Sequence, residues 1–330
     1  GIHNPAASMR MAMAEALTNM VSAPIAGMDQ IQVSANWMAA SGENIEDLAL
    51  RKGVEALSNF SIDLGVSIPV GKDSLSMRTK WEEGNDQYAV KSPLSGVITA
   101  MAPVDDVRDA VTTLLKKDID SQLVLIKLND KNRLGGSIFS EVYNQTVEET
   151  PDVDSAEIFI KMFKLTQSLI KEGSIDALHD VSDGGLVSAI CELAFTARTG
   201  ISINLDSLVK DESLLNEVLF NEEIGLILQI DKSKINDITN QFNEQGLNVF
   251  VLGELNTNDV LEIDLNDKTI FSDSIANLET IWRQTSHAIQ SLRDNKKSAD
   301  SELSLVTDGY TGLFSKDSFI DPALDNFSIK

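Results

Sequence analysis

Short runs of strand-forming residues alternate with helical apolar stripes along this chain, and that alternation restricts it to layered α/β architecture. Met9, Met13, Leu17 and Met20 recur at helical spacing within Ala6–Val21, and "IQVSA" at 31–35 reads as a strand. A helix is expected over most of 41–64, with Ile45, Leu48, Leu57, Phe60 and Leu64 roughly on one side. "VSIPV" leads into "GKDSLSM", and 94–102 is rich in strand formers. A charged stretch, "LLKKDIDSQ", then precedes a new strand, "LVLIKL", which places a domain boundary near residue 115. Beyond it come a helix over 154–171 stopped at Gly173, a buried strand "IGLILQI" and a strand "VFVLGEL". A hairpin turning at Asn266–Asp267 and a helix over 275–292 follow. From about 293 the chain turns polar and loses its periodicity, which reads as an extended connector.

The chain has 330 residues and a formal net charge of −24. So acidic a surface repels phosphate backbones and anionic lipid, which argues against nucleic acid or a membrane as partner. An anionic nucleotide binds such a surface only where a cation or backbone N–H groups offset the field. The single cysteine, Cys191, permits no intrachain disulfide and no cysteine-rich zinc site, and its place in an apolar helical pattern suits a buried core thiol in a reducing compartment. No apolar run approaches membrane-spanning length and the first residues lack a secretory layout, so a cytoplasmic location is expected.

Six stretches could carry chemistry. In "ALHDVSDGGL" (177–186) a strand meets paired glycines and then a helix. Asp180 or Asp183 could hold a magnesium-bound phosphate there, or Ser182 or Asp183 could simply cap the helix. In "EALTN", Glu15 and Asn19 are four apart and share a helix face opposite the methionine stripe, as solvated side chains or as two oxygen ligands. "SANWMAA" places Asn36 just past a strand end, and "PVGKDSLSM" crowds Lys72, Asp73 and Ser74 beside Gly71, which reads as a polar hairpin rim or a ligand site. The phosphate-binding P-loop spacing is absent. "RLGGS" (133–137) and "LFNEEIG" (219–225) suit structural duty, the latter capping the start of a buried strand. The three histidines are scattered and suggest no hydrolase.

Taken in order, "EALTN", "SANWMAA", "PVGKDSLSM", "LGGS", "HDVSDGG", "LFNEEIG" and "LRDN" closely resemble the large phosphoribosylformylglycinamidine synthases, the glutamine-dependent amidotransferases of the fourth step of purine synthesis. The likeness runs from about Asn4 to Asn295. It implies an α/β (α+β), aminoimidazole-ribonucleotide-synthetase-like two-domain unit, the second of two fused copies. Its first domain would span 1–115 and be truncated at its N-terminus, its second would span 116–292, and 293–330 would lead to a glutaminase domain. The resemblance implies that ATP phosphorylates the amide oxygen of formylglycinamide ribonucleotide and that ammonia from glutamine displaces the phosphate.

By the same resemblance, Glu15, Asn19 and Asp180 are Mg²⁺ ligands of an auxiliary site holding a non-reacting ADP, and Ser182 touches that nucleotide. Asn36 and Gly71 approach the reacting ATP of the other copy, and Ser74 approaches the ribonucleotide. Where smaller relatives carry Asn after the glycine this chain has Lys72, so Lys72 or Asp73 takes that role. The implied partners are the other synthetase half and the glutaminase domain, with a homodimer of this unit as a further expectation. The isolated chain is expected to be inactive. The alternative function is a scaffold half that holds ADP-Mg permanently and completes the other half's site.

Overall fold

The computed structural model describes residues 1–308 and forms two compact units, Gly1–Ile275 and the chain from Ala276 onward. In the first unit, α1 (Pro5–Met20), β1 (Gln32–Met38), α2 (Asn44–Leu64), β2 (Ser67–Ser74), a hairpin of β3 (Arg78–Glu83) and β4 (Asp86–Lys91), and β5 (Ser95–Met101) come first. Then follow β6 (Ser121–Lys127), α3 (Ile138–Val142), α4 (Ala156–Lys171), β7 (Ala177–Val181), α5 (Gly185–Ala197) and β8 (Gly200–Asn204). The unit closes with α6 (Leu215–Phe220), β9 (Gly225–Asp231), α7 (Ile235–Glu244), β10 (Asn248–Asn256), β11 (Val260–Leu265) and β12 (Lys268–Ser274). From the last residue of the first unit onward, α8 (Ile275–Arg293) and α9 (Lys296–Ser304) are described.

Two sheets organise the first unit. The smaller has three strands in the order β2-β1-β5, with β1 and β2 parallel across the α2 crossover and β5 antiparallel to β1. The larger is mixed and has seven strands, β12-β11-β8-β10-β6-β9-β7. The expected strands "LVLIKL" and "IGLILQI" are its paired β6 and β9, buried along almost their whole length. Continuous apolar runs are what strands covered on both faces require. The expected hairpin is β11–β12, and Asn266 and Asp267 both take positive φ at its turn.

One core joins the two sheets. Met9, Met13 and Leu17 of α1 and Leu57, Phe60 and Leu64 of α2 pack in the same cluster as Phe159, Met162 and Phe163 of α4 and Leu226 and Leu228 of β9. Phe60 meets Phe159 edge to face at 6.2 Å. Polar side chains lock the same junction. Buried Gln167 accepts the Ile25 N–H at 2.9 Å and donates to the Val21 and Ala23 carbonyls, which fastens the chain after α1 to α4. Arg10 of α1 grips Asp152 with two hydrogen bonds of 2.7 and 2.6 Å.

Three expectations change. Ile45 and Leu48 do not share the buried side of α2: they are 81% and 52% exposed, because only the later turns of this 21-residue helix reach the core. The polar stretch at Gly71–Ser74 is not a hairpin rim but the second half of strand β2. Residues 296–304 are helical rather than extended: Asn295 caps the Lys297 and Ser298 N–H groups, and Lys296 pairs with Asp300 one turn on. The remainder of the expected connector, 309–330, lies outside the described residues. Among the described residues no helix is long and apolar enough to cross a membrane.

Candidate functional site

A cleft of about 180 Å³ opens where α1 faces the glycine turn after β7. Asn4, Ser8, Met11 and Glu15 give it one wall, a stripe at three- and four-residue spacing along the start and body of α1. Val181, Ser182 and Asp183 give the opposite wall, and Gly135, Gly136, Thr150 and Pro151 line it from the loops that flank α3. The Arg10–Asp152 pair therefore holds α1 against the loop carrying Thr150 and Pro151.

The turn itself depends on glycine. Gly184 has φ +80° and Gly185 φ +68°, and a Cβ on Gly185 would stand 2.6 Å from the Asn221 carbonyl. Only glycine lets α5 start so close to that backbone.

Glu15 and Ser182, 167 residues apart in sequence, meet in the cleft: the Ser182 hydroxyl donates to Glu15 Oε1 at 3.0 Å. Asn19 turns back along α1, its amide donating to the Glu15 carbonyl at 2.9 Å. Asp180 is not on the cleft wall. Val181, Ser182 and Asp183 line the cleft, whereas the Asp180 carboxylate lies 3.6 Å from His179 Nδ1. Burial pushes the Asp180 carboxyl above its ordinary range, with His179 opposing. His179 is itself raised: burial works against its charge, but Glu192 at 3.0 Å and the neighbouring Asp180 groups outweigh it.

The third carboxylate on the cleft, after Glu15 and Asp183, is Glu222, which sequence reasoning left as a strand cap. Its pKa is raised by burial, with Asp183 and Glu15 adding like-charge repulsion against the N–H bonds from Gly184 and Ile138. The signal that could have found it was its place in "NEE", which the topology sets beside the glycine turn. Among the described residues no three His, Cys, Asp or Glu side chains are drawn together tightly enough to cage a metal ion.

Asn36, Gly71 and Ser74 lie elsewhere, on the paired strands β1 and β2. In that parallel register Asn36 stands opposite Lys72, Ala35 opposite Gly71, Trp37 opposite Asp73 and Met38 opposite Ser74. A Cβ on Gly71 would come within 2.3 Å of the Ala35 carbonyl. Gly71, Lys72 and Asp73 are exposed along this edge strand, and none of the five predicted residues of this group lines the cleft.

Comparison with known families finds two matches, both within the first unit. Residues 1–103 match the FGAR-AT PurM_N-like domain, where FGAR-AT is formylglycinamide ribonucleotide amidotransferase, and residues 120–266 match the C-terminal domain of AIR synthase related proteins. The chain belongs to the AIR-synthase-like family, with an FGAR-AT type first domain. Solved structures share the family's fold at low identity. Thermotoga maritima PurL complexed with FGAR is 14% identical with a TM-score of 0.63, over 84% of this chain and 44% of that one. PurLQS of the same organism is 12% identical with a TM-score of 0.61, over 82% and 41%. Escherichia coli HypE, a hydrogenase maturation protein, is 13% identical with a TM-score of 0.58, over 80% and 79%. The chain thus spans about two fifths of the PurL chains and most of HypE.

Proposed function

We propose that this chain acts as the second synthetase half of a formylglycinamide ribonucleotide amidotransferase, its cleft holding a magnesium-bound adenine nucleotide. The observation that carries the reading is the meeting of Glu15 with Ser182 at the glycine turn. The two motifs face one cleft, and they are the motifs for which the family resemblance implies a nucleotide. Solved PurL structures complexed with ATP and ADP support the same class of ligand.

The donor chemistry fits magnesium. The Glu15 and Asp183 carboxylates on the cleft wall are hard oxygen ligands of the kind Mg²⁺ takes; Asn19 and Asp180, to which the resemblance gives the same role, lie off the wall. Glu15, Asp183 and Glu222 make the cleft acidic enough that a phosphate needs a cation beside it. When bound, the metal would offset phosphate charge. Ser182 would touch the nucleotide, and Asp180, one residue behind the wall, would support the turn that carries Ser182.

The β1–β2 edge takes the second task. Asn36 and Gly71 approach the reacting ATP of the other synthetase half, Ser74 approaches the ribonucleotide, and Lys72 or Asp73 stands in for the relatives' asparagine. The reaction so completed phosphorylates an amide oxygen, and ammonia then displaces the phosphate to give the amidine. Positioning is the main demand of such phosphoryl transfer. The scaffold reading is compatible with this one: the cleft holds its nucleotide without turnover while the strand edge serves the other half.

The test is a calorimetric scan with Mg-ADP. The thermal midpoint should rise with ligand concentration, and Glu15→Ala or Asp180→Ala should abolish the rise. A wild-type midpoint indifferent to Mg-ADP at millimolar concentration sinks the cleft assignment. With ammonia, ATP and formylglycinamide ribonucleotide the chain alone should show no turnover, and measurable amidine would overturn the need for a second half.

A further inference from the structure

Asn221, Glu222 and Glu223 do more than begin β9. Each fastens a different part of the cleft's frame. The Asn221 amide donates to the Asn132 side chain at 3.2 Å and to the Glu217 and Val218 carbonyls. Glu223, almost wholly buried, holds the Arg133 guanidinium through bonds of 2.5 and 2.8 Å. Glu222 binds two backbone groups. Its Oε1 accepts the Gly184 N–H at 2.9 Å and the Ile138 N–H at 2.9 Å.

The geometry points to Glu222 as the positioning residue of the cleft: one carboxylate oxygen, bonded to both backbone N–H groups, sets the spacing between the glycine turn at 182–185 and the loop at 135–137. Both donors belong to helix starts, Gly184 as the N-cap of α5 and Ile138 as the first residue of α3. Such N–H groups have no partner within their own helix and must find one outside it. A shared acceptor makes the two helix starts move as one. Charge-assisted bonds to backbone N–H groups are the stronger kind, which suits a carboxylate placed beside Asp183 and Glu15 in spite of their repulsion. Slack elsewhere is small, because α5 begins in direct contact with the 219–221 backbone beneath Gly185.

This inference deepens the nucleotide reading of the cleft and rests on it only for its effect on binding. Glu222 touches no nucleotide on this account. It holds Ser182 and Gly136 at the separation that a ligand meets, so the ligand does not have to order two loops as it binds.

The experiment pairs amide hydrogen exchange with Mg-ADP titration calorimetry on wild type, Glu222→Gln, Glu222→Asp and Glu222→Ala. The Gln carbonyl can still accept both N–H groups, whereas Asp is one carbon short and Ala has no acceptor. In Ala and Asp at least one of the Gly184 and Ile138 amides should exchange about tenfold faster or more, the size expected when an amide loses a charge-assisted hydrogen bond. Mg-ADP affinity should fall by a similar factor in both, and Gln should stay within about threefold of wild type in both measurements. Unchanged exchange at both amides in Asp or Ala overturns the clamp. So does a Gln variant as impaired as Ala, since charge rather than placement would then be at work. If wild type fails to bind Mg-ADP, the nucleotide reading falls, and the exchange measurement alone decides the clamp.

Discussion

Lys127 closes β6 as a cation sunk in the larger sheet, only 7% exposed. Its ammonium donates to the Lys131 carbonyl at 3.0 Å and to Asn132 Oδ1 at 2.6 Å, beside a small void lined by Leu125, Leu186 and Val218. Burial lowers its pKa from 10.5 to about 8, with Glu223 and Asp130 opposing only in part. The unfolded chain therefore binds more protons than the folded chain between pH 8 and 10.5, and stability from this group rises with pH across that window. At pH 7.5 the charged lysine costs roughly 3 kcal/mol, and at pH 10 less than about 1 kcal/mol. Urea unfolding of wild type and Lys127→Met at both pH values isolates this group, since every other titration cancels in the difference. Wild type should gain about 2 kcal/mol on the variant between pH 7.5 and pH 10. A difference that moves by less than about 0.5 kcal/mol would refute the argument, because Lys127 would then titrate as an exposed lysine does.

Glu223→Ala leaves Arg133 largely buried without its bidentate partner, and urea unfolding should show a loss of about 3–5 kcal/mol. Adding Arg133→Met should restore much of it, and a single-variant loss under about 1 kcal/mol would contradict the pairing. Gly71→Ala drives a Cβ into the Ala35 carbonyl and should cost about 1–3 kcal/mol by thermal or urea unfolding, with an unshifted transition counting against the observed β1–β2 spacing. Burial, with the nearby Glu192 charge, pushes the Cys191 thiol up to about 12. It should resist a disulfide reagent at pH 8 in the folded chain and react at once in urea, and fast labelling of the native chain would disprove its protection.

Most helices and the buried strands were legible because their apolar spacing is strong: the methionine stripe of α1, the apolar runs of β6 and β9, and the Asn–Asp turn of the β11–β12 hairpin. The β3–β4 hairpin escaped, since every residue in it is exposed and burial leaves no alternating pattern to read. The β2 stretch misled for a related reason. Gly71, Lys72 and Asp73 carry turn chemistry, yet pairing with β1 holds them extended. Propensity yields there to a tertiary ladder.

The order of residues alone determined the alternation of strands and helices, the acidic surface, and the motifs that mark the chain's family. Tertiary structure decided which of those motifs share a cleft. Strand pairing sets "NEE" beside "SDGG", and the common core brings α1 across to Ser182, over separations of 38 and 167 residues. Only packing fixes which of these residues α1 covers, so Asp180 left the wall and Glu222 joined it. Local sequence encodes the period of a side-chain pattern; which groups finally meet depends on contacts between segments far apart in the chain.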